Sequence, residues 1–463
     1  MSPSHNKTGH DTISQIVPSL EKSTPKIDSK DPKLLDTIAS RYASIVGESK
    51  NVKTLLCCLI SKDLPKKYRT SVIISNQSST GKSYLLNKVL EPFKDDKNTV
   101  LDFTDMTEAY IKRSLHNVNN KIIKIEQLEN RNENGQISIH RLKHLLSEGR
   151  LCFGQYDSDE TDKNKKAKVF EVVGIPVIVT TATEFGIDSE TQNRFFMMQL
   201  DESEEQTGRI IDHTLTDYNK IDGDDHRDTE LSKFYENLGK MGRRTRGFMI
   251  PFTDKIKPLL PKELPMRRDL DKILNLTCQH AFIHAKNRDY FVTAKDLLIP
   301  LEGDKNEKQD ITEKAEFYYF ICKPEDFQAA YEMAGDTISQ TINKSSHRLM
   351  AMNATLRKLY NVQKIDEQAG ITVKQLTKPT DLTENRVREY VNELVNRGFA
   401  TRDDSDKEYK YIPTDKRFSE LSAANIEFSD TEYKDWVAQT LEDAGDTFSF
   451  VSQCDGKGGQ NEL

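Results

Sequence analysis

The stretch Ser71-Val72-Ile73-Ile74-Ser75-Asn76-Gln77-Ser78-Ser79-Thr80-Gly81-Lys82-Ser83-Tyr84-Leu85-Leu86 decides the fold class. Its first five residues are β-branched or small and lie between a Lys-rich and a Ser-rich segment, the pattern of a buried parallel strand. Tyr84 to Val89 starts a helix. Between the two stands a near match to GxxxxGK[ST], in which backbone amides wrap phosphates, the lysine reaches the β and γ oxygens, and the hydroxyl ligates magnesium. Those roles fall on Lys82 and Ser83, with Ser79, Thr80, Gly81 and Tyr84 lining the loop. The helix that follows turns its positive end toward the phosphates. Asn76 stands in the place of the first glycine. Asparagine is the non-glycine residue most tolerant of positive φ, so the turn is expected to survive. The competing reading is a Ser-rich turn that contains GKS by accident, and strand before plus helix after argue against it.

Outward from this loop, 463 residues leave room for two or three domains with buried cores. With 67 Lys+Arg against 74 Asp+Glu the formal charge is -7, so nucleic-acid contacts would have to come from local basic surfaces. Cys57, Cys58, Cys152, Cys278, Cys322 and Cys454 form no CxxC pair and no disulfide-like spacing. Reduced thiols are expected. The first thirty residues are polar and Pro-broken without the apolar core of a signal peptide, and no stretch has the length of a membrane span. A soluble, cytoplasmic chain with a disordered arm over 1–30 is expected.

A phosphate-binding loop of this kind needs acidic and hydroxyl groups on neighbouring strands. Lys121-Ile122-Ile123-Lys124-Ile125-Glu126-Gln127-Leu128-Glu129 offers Glu126 as a magnesium ligand. Gln127 occupies the place of the carboxylate that polarises attacking water, and an amide cannot accept that proton. Either Glu129 substitutes or hydrolysis is slow. Val177 to Thr183 reads as a further buried strand ending in hydroxyls, with Thr181 and Thr183 as candidates to sense the γ-phosphate and orient water. Arg194, in Asn193-Arg194-Phe195-Phe196, can stabilise transition-state charge from a neighbouring subunit. Its bland alternative is a surface pair with Glu190 at i,i+4.

The order of these motifs resembles the AAA+ superfamily and, within it, the minichromosome maintenance (MCM) helicases and related ATPases of archaeal and phage replication modules. The resemblance covers about Ile45 to Leu298, from Val46-Gly47-Glu48 through the P-loop, acidic strand and sensor strand to Pro265-Met266-Arg267-Arg268-Asp269-Leu270. It implies an α/β core with a parallel sheet over 31–242 and a helical lid over 243–300. It also implies ATP and magnesium as cofactors, and a second sensor at Arg267 or Arg268. A homo-oligomeric ring, a hexamer among the candidate sizes, is implied as well, with replication proteins as further partners. Residues 151–156 and 167–173 read as a hairpin whose tip carries Lys163, Lys165 and Lys166. In ring helicases of the resembled family such hairpins grip DNA; a solvated tip is the alternative.

A charged linker and helix over 301–344 separate this core from a module over 345–415. There, Ser346 to Tyr360, Val373 to Leu376 and a helix opened by Thr383 are followed by two short strands around Arg402 to Glu408. Helix, helix, helix, wing is the order of a winged helix-turn-helix. Asn385, Arg386, Arg388, Arg397 and Lys410 are its DNA-contact candidates, and a protein-binding winged helix is the alternative. Residues 416–463 read as an acidic tail. Two functions emerge: an ATP-driven DNA motor of a replication module, or a nucleotide-gated DNA-binding switch with little turnover. No membrane role is expected.

Overall fold

The computed structural model describes residues 25–76, 80–95, 99–104, 115–126, 139–156, 167–182, 191, 194–219, 228–262, 266–293, 317–343, 347–363, 370–380, 382–404, 408–416, 426–445 and 448–453. Two helices, α1 (Leu34–Ser40) and α2 (Ser49–Ile60), lead to β1 (Val72–Ser75), and Gly81 then caps α3 (Lys82–Leu90). The chain continues through β2 (Val100–Phe103), β3 (Ile122–Ile125) and α4 (Ile139–Glu148). A hairpin of β4 (Arg150–Tyr156) and β5 (Ala167–Val173) precedes β6 (Val177–Ala182) and β7 (Phe196–Met198).

These strands make a five-stranded parallel sheet in the order β2-β3-β6-β1-β7. The reason β1 is apolar at successive positions is visible in its packing. Val72 and Ile74 face a core shared with α1, α2 and α3, while Ile73 faces a second core with Ile123, Ile125 and Ile178. Side chains alternate across the pleat and both faces are covered, so neither face tolerates polarity. Burying each of these side chains stabilises the sheet by about 1.5–3 kcal/mol. The hairpin lies outside the sheet, with Leu151 paired to Val172 and Phe153 to Phe170; Leu151 and Phe153 pack into the second core beside Leu142 and Leu145 of α4.

Beyond β7 run α5 (Glu204–Asp217) and α6 (Thr229–Arg244), of which α6 buries Leu231, Tyr235 and Leu238 in the main core. The run 201–242 is acidic in sequence, yet α6 within it is a core helix. Next come β8 (Thr245–Met249), α7 (Met266–Ile283), β9 (Tyr290–Thr293), β10 (Tyr318–Ile321) and α8 (Pro324–Asn343). Within 243–300, the segment expected as a helical lid, β8 and β9 stand beside α7; with β10 they belong to a four-stranded mixed sheet, and α7 packs along α8.

A third apolar cluster belongs to a separate unit: α9 (His347–Gln363), β11 (Ile371–Thr372), α10 (Val373–Thr380), α11 (Glu384–Asn396), β12 (Ala400–Asp403) and β13 (Lys410–Pro413). Val387, Val391 and Leu394 step along the buried face of α11. The order of its sheet is β11-β13-β12. The segment read as an acidic tail holds α12 (Asp430–Ala444), opened by a Ser429–Glu432 capping box, and β14 (Phe448–Val451). β14 pairs antiparallel with β9 and completes the second sheet, because Phe448 and Phe450 meet Phe291, and Trp436 of α12 meets it too. Among the described residues no helix is long and apolar enough to cross a membrane.

Candidate functional site

In a sheet of this order the chain leaves β1 for the far edge strand β2, then walks back through β3 and β6 and passes β1 to reach β7. A crevice forms at the carboxyl ends of the strands around that reversal, where ligands of open α/β sheets bind. The sequence candidates Asn76, Thr80, Gly81, Lys82, Ser83, Tyr84, Glu126 and Thr181 lie on segments that end or begin here. Ser79, Gln127, Glu129 and Thr183 lie outside the described residues.

Gly81 has φ 84 and a built Cβ there would meet open space, so the glycine serves the left-handed turn and leaves room in front of the helix. The amides of the first turn of α3 therefore face outward with the positive end of the helix dipole. Lys82 folds back and donates from Nζ to the Asn76 carbonyl at 2.9 Å. Burial lowers its pKa, an effect opposed by Glu202. Ser83 and Tyr84 are exposed on the same turn.

Asn76 does not use a left-handed backbone: among the described residues only Asn120 combines a side chain with positive φ. The glycine-like account of Asn76 is therefore replaced by a side-chain one. Its Oδ1 accepts from Leu200 N at 2.7 Å, and its Nδ2 donates to Leu200 O at 3.1 Å and Glu202 Oε1 at 2.9 Å. The amide clamps the end of β1 to the segment leaving β7. On the other side Glu126 presents an exposed side chain, while its N donates to Phe103 O at 3.0 Å and its carbonyl accepts the Thr181 hydroxyl. Thr181 thus spends its proton inside the protein and keeps lone pairs to accept from a further donor.

Two groups escaped sequence reasoning. Glu202 reaches Asn76 and acts on Lys82, and buried Glu48 accepts from Asp201 N at 2.9 Å and Asn51 Nδ2 at 2.6 Å. Burial raises the Glu48 carboxyl pKa, with the two hydrogen bonds opposing it. Its place in Val46-Gly47-Glu48 was a signal; Glu202 was hidden in an acidic run.

Arg194 and Arg268 come together elsewhere. They line a cleft of about 210 Å³ with Arg69, Phe195, Phe196 and Lys272, at the amino ends of β1 and β7. Arg267 is exposed beside Arg268. Arg194 donates to Lys143 O at 2.7 Å and to the Ser147 hydroxyl, both on α4 of its own chain. Arg69 is a brace: it donates to Leu64 O at 2.8 Å and Asn120 Oδ1 at 3.1 Å, and burial lowers its pKa to about 10. The length of β1, about 13 Å at a strand's rise, separates this cleft from the loop after β1.

Of the hairpin candidates, Lys163, Lys165 and Lys166 lie outside the described residues. In the carboxyl-terminal unit Asn385, Arg386 and Arg388 are exposed on the first turns of α11, and Lys410 opens β13. Arg386 pairs with Glu389 at 2.8 Å, Arg397 with Glu393 at 2.6 Å and Arg402 with Asp404 at 2.7 Å.

No protein-family model and no curated protein matches the sequence. Among solved structures, a full-length MCM homolog from Methanopyrus kandleri is similar at 14% identity and a TM-score of 0.36 over 69% of this chain. The chain spans 60% of the length of that homolog.

Proposed function

We propose that this chain is an ATP-binding ATPase of the AAA+ type that acts on DNA as a ring-forming motor in replication. The observation that carries the proposal is the meeting of Gly81, Lys82 and the start of α3 with Glu126 and Thr181 at the carboxyl ends of three adjacent parallel strands. These residues suit a nucleotide triphosphate with magnesium. Outward amides and a lysine complement phosphate charge, and the Ser83 hydroxyl with the Glu126 carboxylate makes an oxygen donor set for a hard cation. Ser83 and Glu126 would hold the magnesium, which would supply positive charge against the phosphates. Thr181, its proton engaged by the Glu126 carbonyl, is poised to accept from water and orient it.

In this reading Arg194 and Arg268 serve the site of a neighbouring subunit, since each lies at the opposite end of β1 from Lys82 of its own chain. The carboxyl-terminal unit is read as a winged helix, with α11 presenting Asn385, Arg386 and Arg388 to DNA and Arg397 and Lys410 flanking it. Lys163, Lys165 and Lys166 of the hairpin would face the strand in the ring channel. The test is ATP turnover with and without single-stranded DNA, for the native chain and for Lys82→Ala. DNA-stimulated turnover that vanishes in Lys82→Ala together with nucleotide binding is the expected result. Unchanged nucleotide binding in the variant would refute the site.

A second reading, a nucleotide-gated switch that loads or regulates other replication proteins, is favoured by Gln127, whose amide cannot take a proton from water. Tight ATP binding with background turnover in the presence and absence of DNA would establish it over the motor.

A further inference from the structure

α5 is an anomaly in this fold. Of its fourteen residues from Glu204 to Asp217, only Gln206 is buried. The contacts that hold it are at its first turn: Ser203 caps Gln206 N at 3.1 Å, and the Gln206 side chain donates to Val46 O at 2.6 Å. Farther along, the hydroxyls of Thr207, Thr214 and Thr216 bond, among the described residues, to carbonyls four residues back. A helix of this length is marginal in water without a packed face. Yet it carries one. Ile211, Leu215 and the adjoining Tyr218 recur at steps of four and three and are 53%, 61% and 87% exposed, with Ile210 beside them at 44%. Asp212, Thr216 and Asn219 mark the polar side. Apolar side chains exposed singly need no explanation, but a stripe along one helix marks a contact surface.

We infer that the Ile211–Leu215–Tyr218 face of α5 docks onto a second copy of this chain, at the amino-end cleft that carries Arg194 and Arg268. The inference rests on the reading in which those arginines complete a neighbour's site. Two observations select this occupant. α5 starts two residues after Glu202, which hydrogen-bonds Asn76, so the helix leaves the body beside the loop that a neighbour's arginines would have to reach. The charges also match: the root of α5 presents Asp201, Glu202, Glu204 and Glu205 against the single Arg209, and the opposite end of β7 presents exposed Arg194, Arg267 and Arg268. Acidic root against basic edge steers a head-to-tail approach, and the apolar stripe supplies the burial that holds it. A head-to-tail contact repeats from copy to copy and closes into a ring when the rotation permits.

The test is analytical ultracentrifugation with ATP and magnesium on the full chain, comparing the native sequence with Ile211→Asp/Leu215→Asp and with Arg194→Ala. Both changed positions of the double variant are on the surface, and circular dichroism checks that the fold is kept. The native chain should assemble, and the double variant should assemble at least roughly 30-fold more weakly, the scale of an interface hot spot, while each subunit still binds nucleotide. A native assembly that the double variant forms equally well overturns the inference and leaves the arginine reading standing. Assembly lost in the double variant while Arg194→Ala keeps full turnover supports the inference and overturns the arginine reading. A native chain that stays monomeric overturns both. A photoreactive residue at position 218 separates the occupants: an adduct between two chains is expected, and an adduct within one chain to residues 1–24 overturns the inference.

Discussion

After β1, Lys82 and Glu126 stand at the edge of the solvent beside buried Asn76 and Thr181, whereas Asp326 of α8 meets Arg288 and His280 with almost no access to water. The two clusters use similar groups and differ in saturation. Asp326 accepts from Arg288 Nε at 2.8 Å, Arg288 Nη2 at 2.6 Å, His280 Nδ1 at 2.6 Å and Lys323 N at 2.8 Å, which fills a carboxylate's capacity. Burial pushes its pKa up, but His280 and Arg288 outweigh that and hold it well below the usual carboxylate range. In contrast, Glu126 keeps its carboxylate in solvent and Gly81 leaves open space before the helix. A saturated cluster locks helices together; an unsaturated one beside a helix start is suited to a ligand.

The hardest way to break this contrast is to cut the closed cluster. Asp326→Ala leaves Arg288 buried without its carboxylate and should cost about 3–5 kcal/mol in urea unfolding, because an uncompensated buried charge remains. Below the lowered melting temperature its nucleotide affinity should match that of the native chain. A loss under about 1 kcal/mol would show that water reaches Arg288 and that the cluster is not closed.

Asn76→Gly comes next and sets the clamp against the sequence motif. The change brings the loop closer to GxxxxGK[ST], yet it removes the acceptor of the buried Leu200 N. Leaving that donor unsatisfied should cost about 1–3 kcal/mol. Nucleotide binding should weaken as well, because β1 is no longer tied to the Glu202 segment. Tighter binding in the glycine variant, measured by calorimetry, would restore the left-handed-turn account of Asn76.

How far all this was legible follows from where each signal lies along the chain. The parallel sheet was readable because Val72–Ser75 is local, and a strand covered on both faces is apolar at nearly every step. The second sheet was not. It joins segments at 245–249, 290–293, 318–321 and 448–451, and β14 carries serine and phenylalanine in a stretch whose neighbours are acidic and Gly-rich. Backbone pairing with β9, and the meeting of Phe448 and Phe450 with Phe291, make it a strand. Asn76 was misjudged for the same reason, since its partner Leu200 lies 124 positions away. Gathering Arg194 and Arg268 into one cleft likewise needed the packing of α7 against the main core.

A smaller effect probes the rim of the closed cluster. His284 packs against His280 with ring centroids 4.6 Å apart, and its Nδ1 has no hydrogen-bond partner among the described residues. Burial, helped by His280 and Arg288, lowers its pKa to about 3. The unfolded chain therefore takes up the proton first as pH falls. Stability contributed by neutral His284 is complete above the unfolded value near 6.5 and is lost as pH falls toward about 3, at up to about 1.4 kcal/mol per pH unit. His284→Leu should flatten the melting temperature between pH 6 and pH 4.5; an unchanged slope would show that His284 already takes its proton from water in the fold.

The smallest effects are expected on α11, where the open, exposed extreme of the comparison is reached. Arg386 and Glu389 are an exposed i,i+3 pair, so Glu389→Ala should change stability by less than about 0.5 kcal/mol. Its value lies in binding. If α11 meets DNA, removing Glu389 lets Arg386 turn to phosphate and should tighten binding slightly. Arg388→Ala should then lower the slope of log affinity against log salt by about one phosphate contact, uniformly across sequences. Should neither substitution move DNA affinity or its salt slope, the ion pairs on this unit would be its working state, and the unit would serve protein contacts in place of DNA.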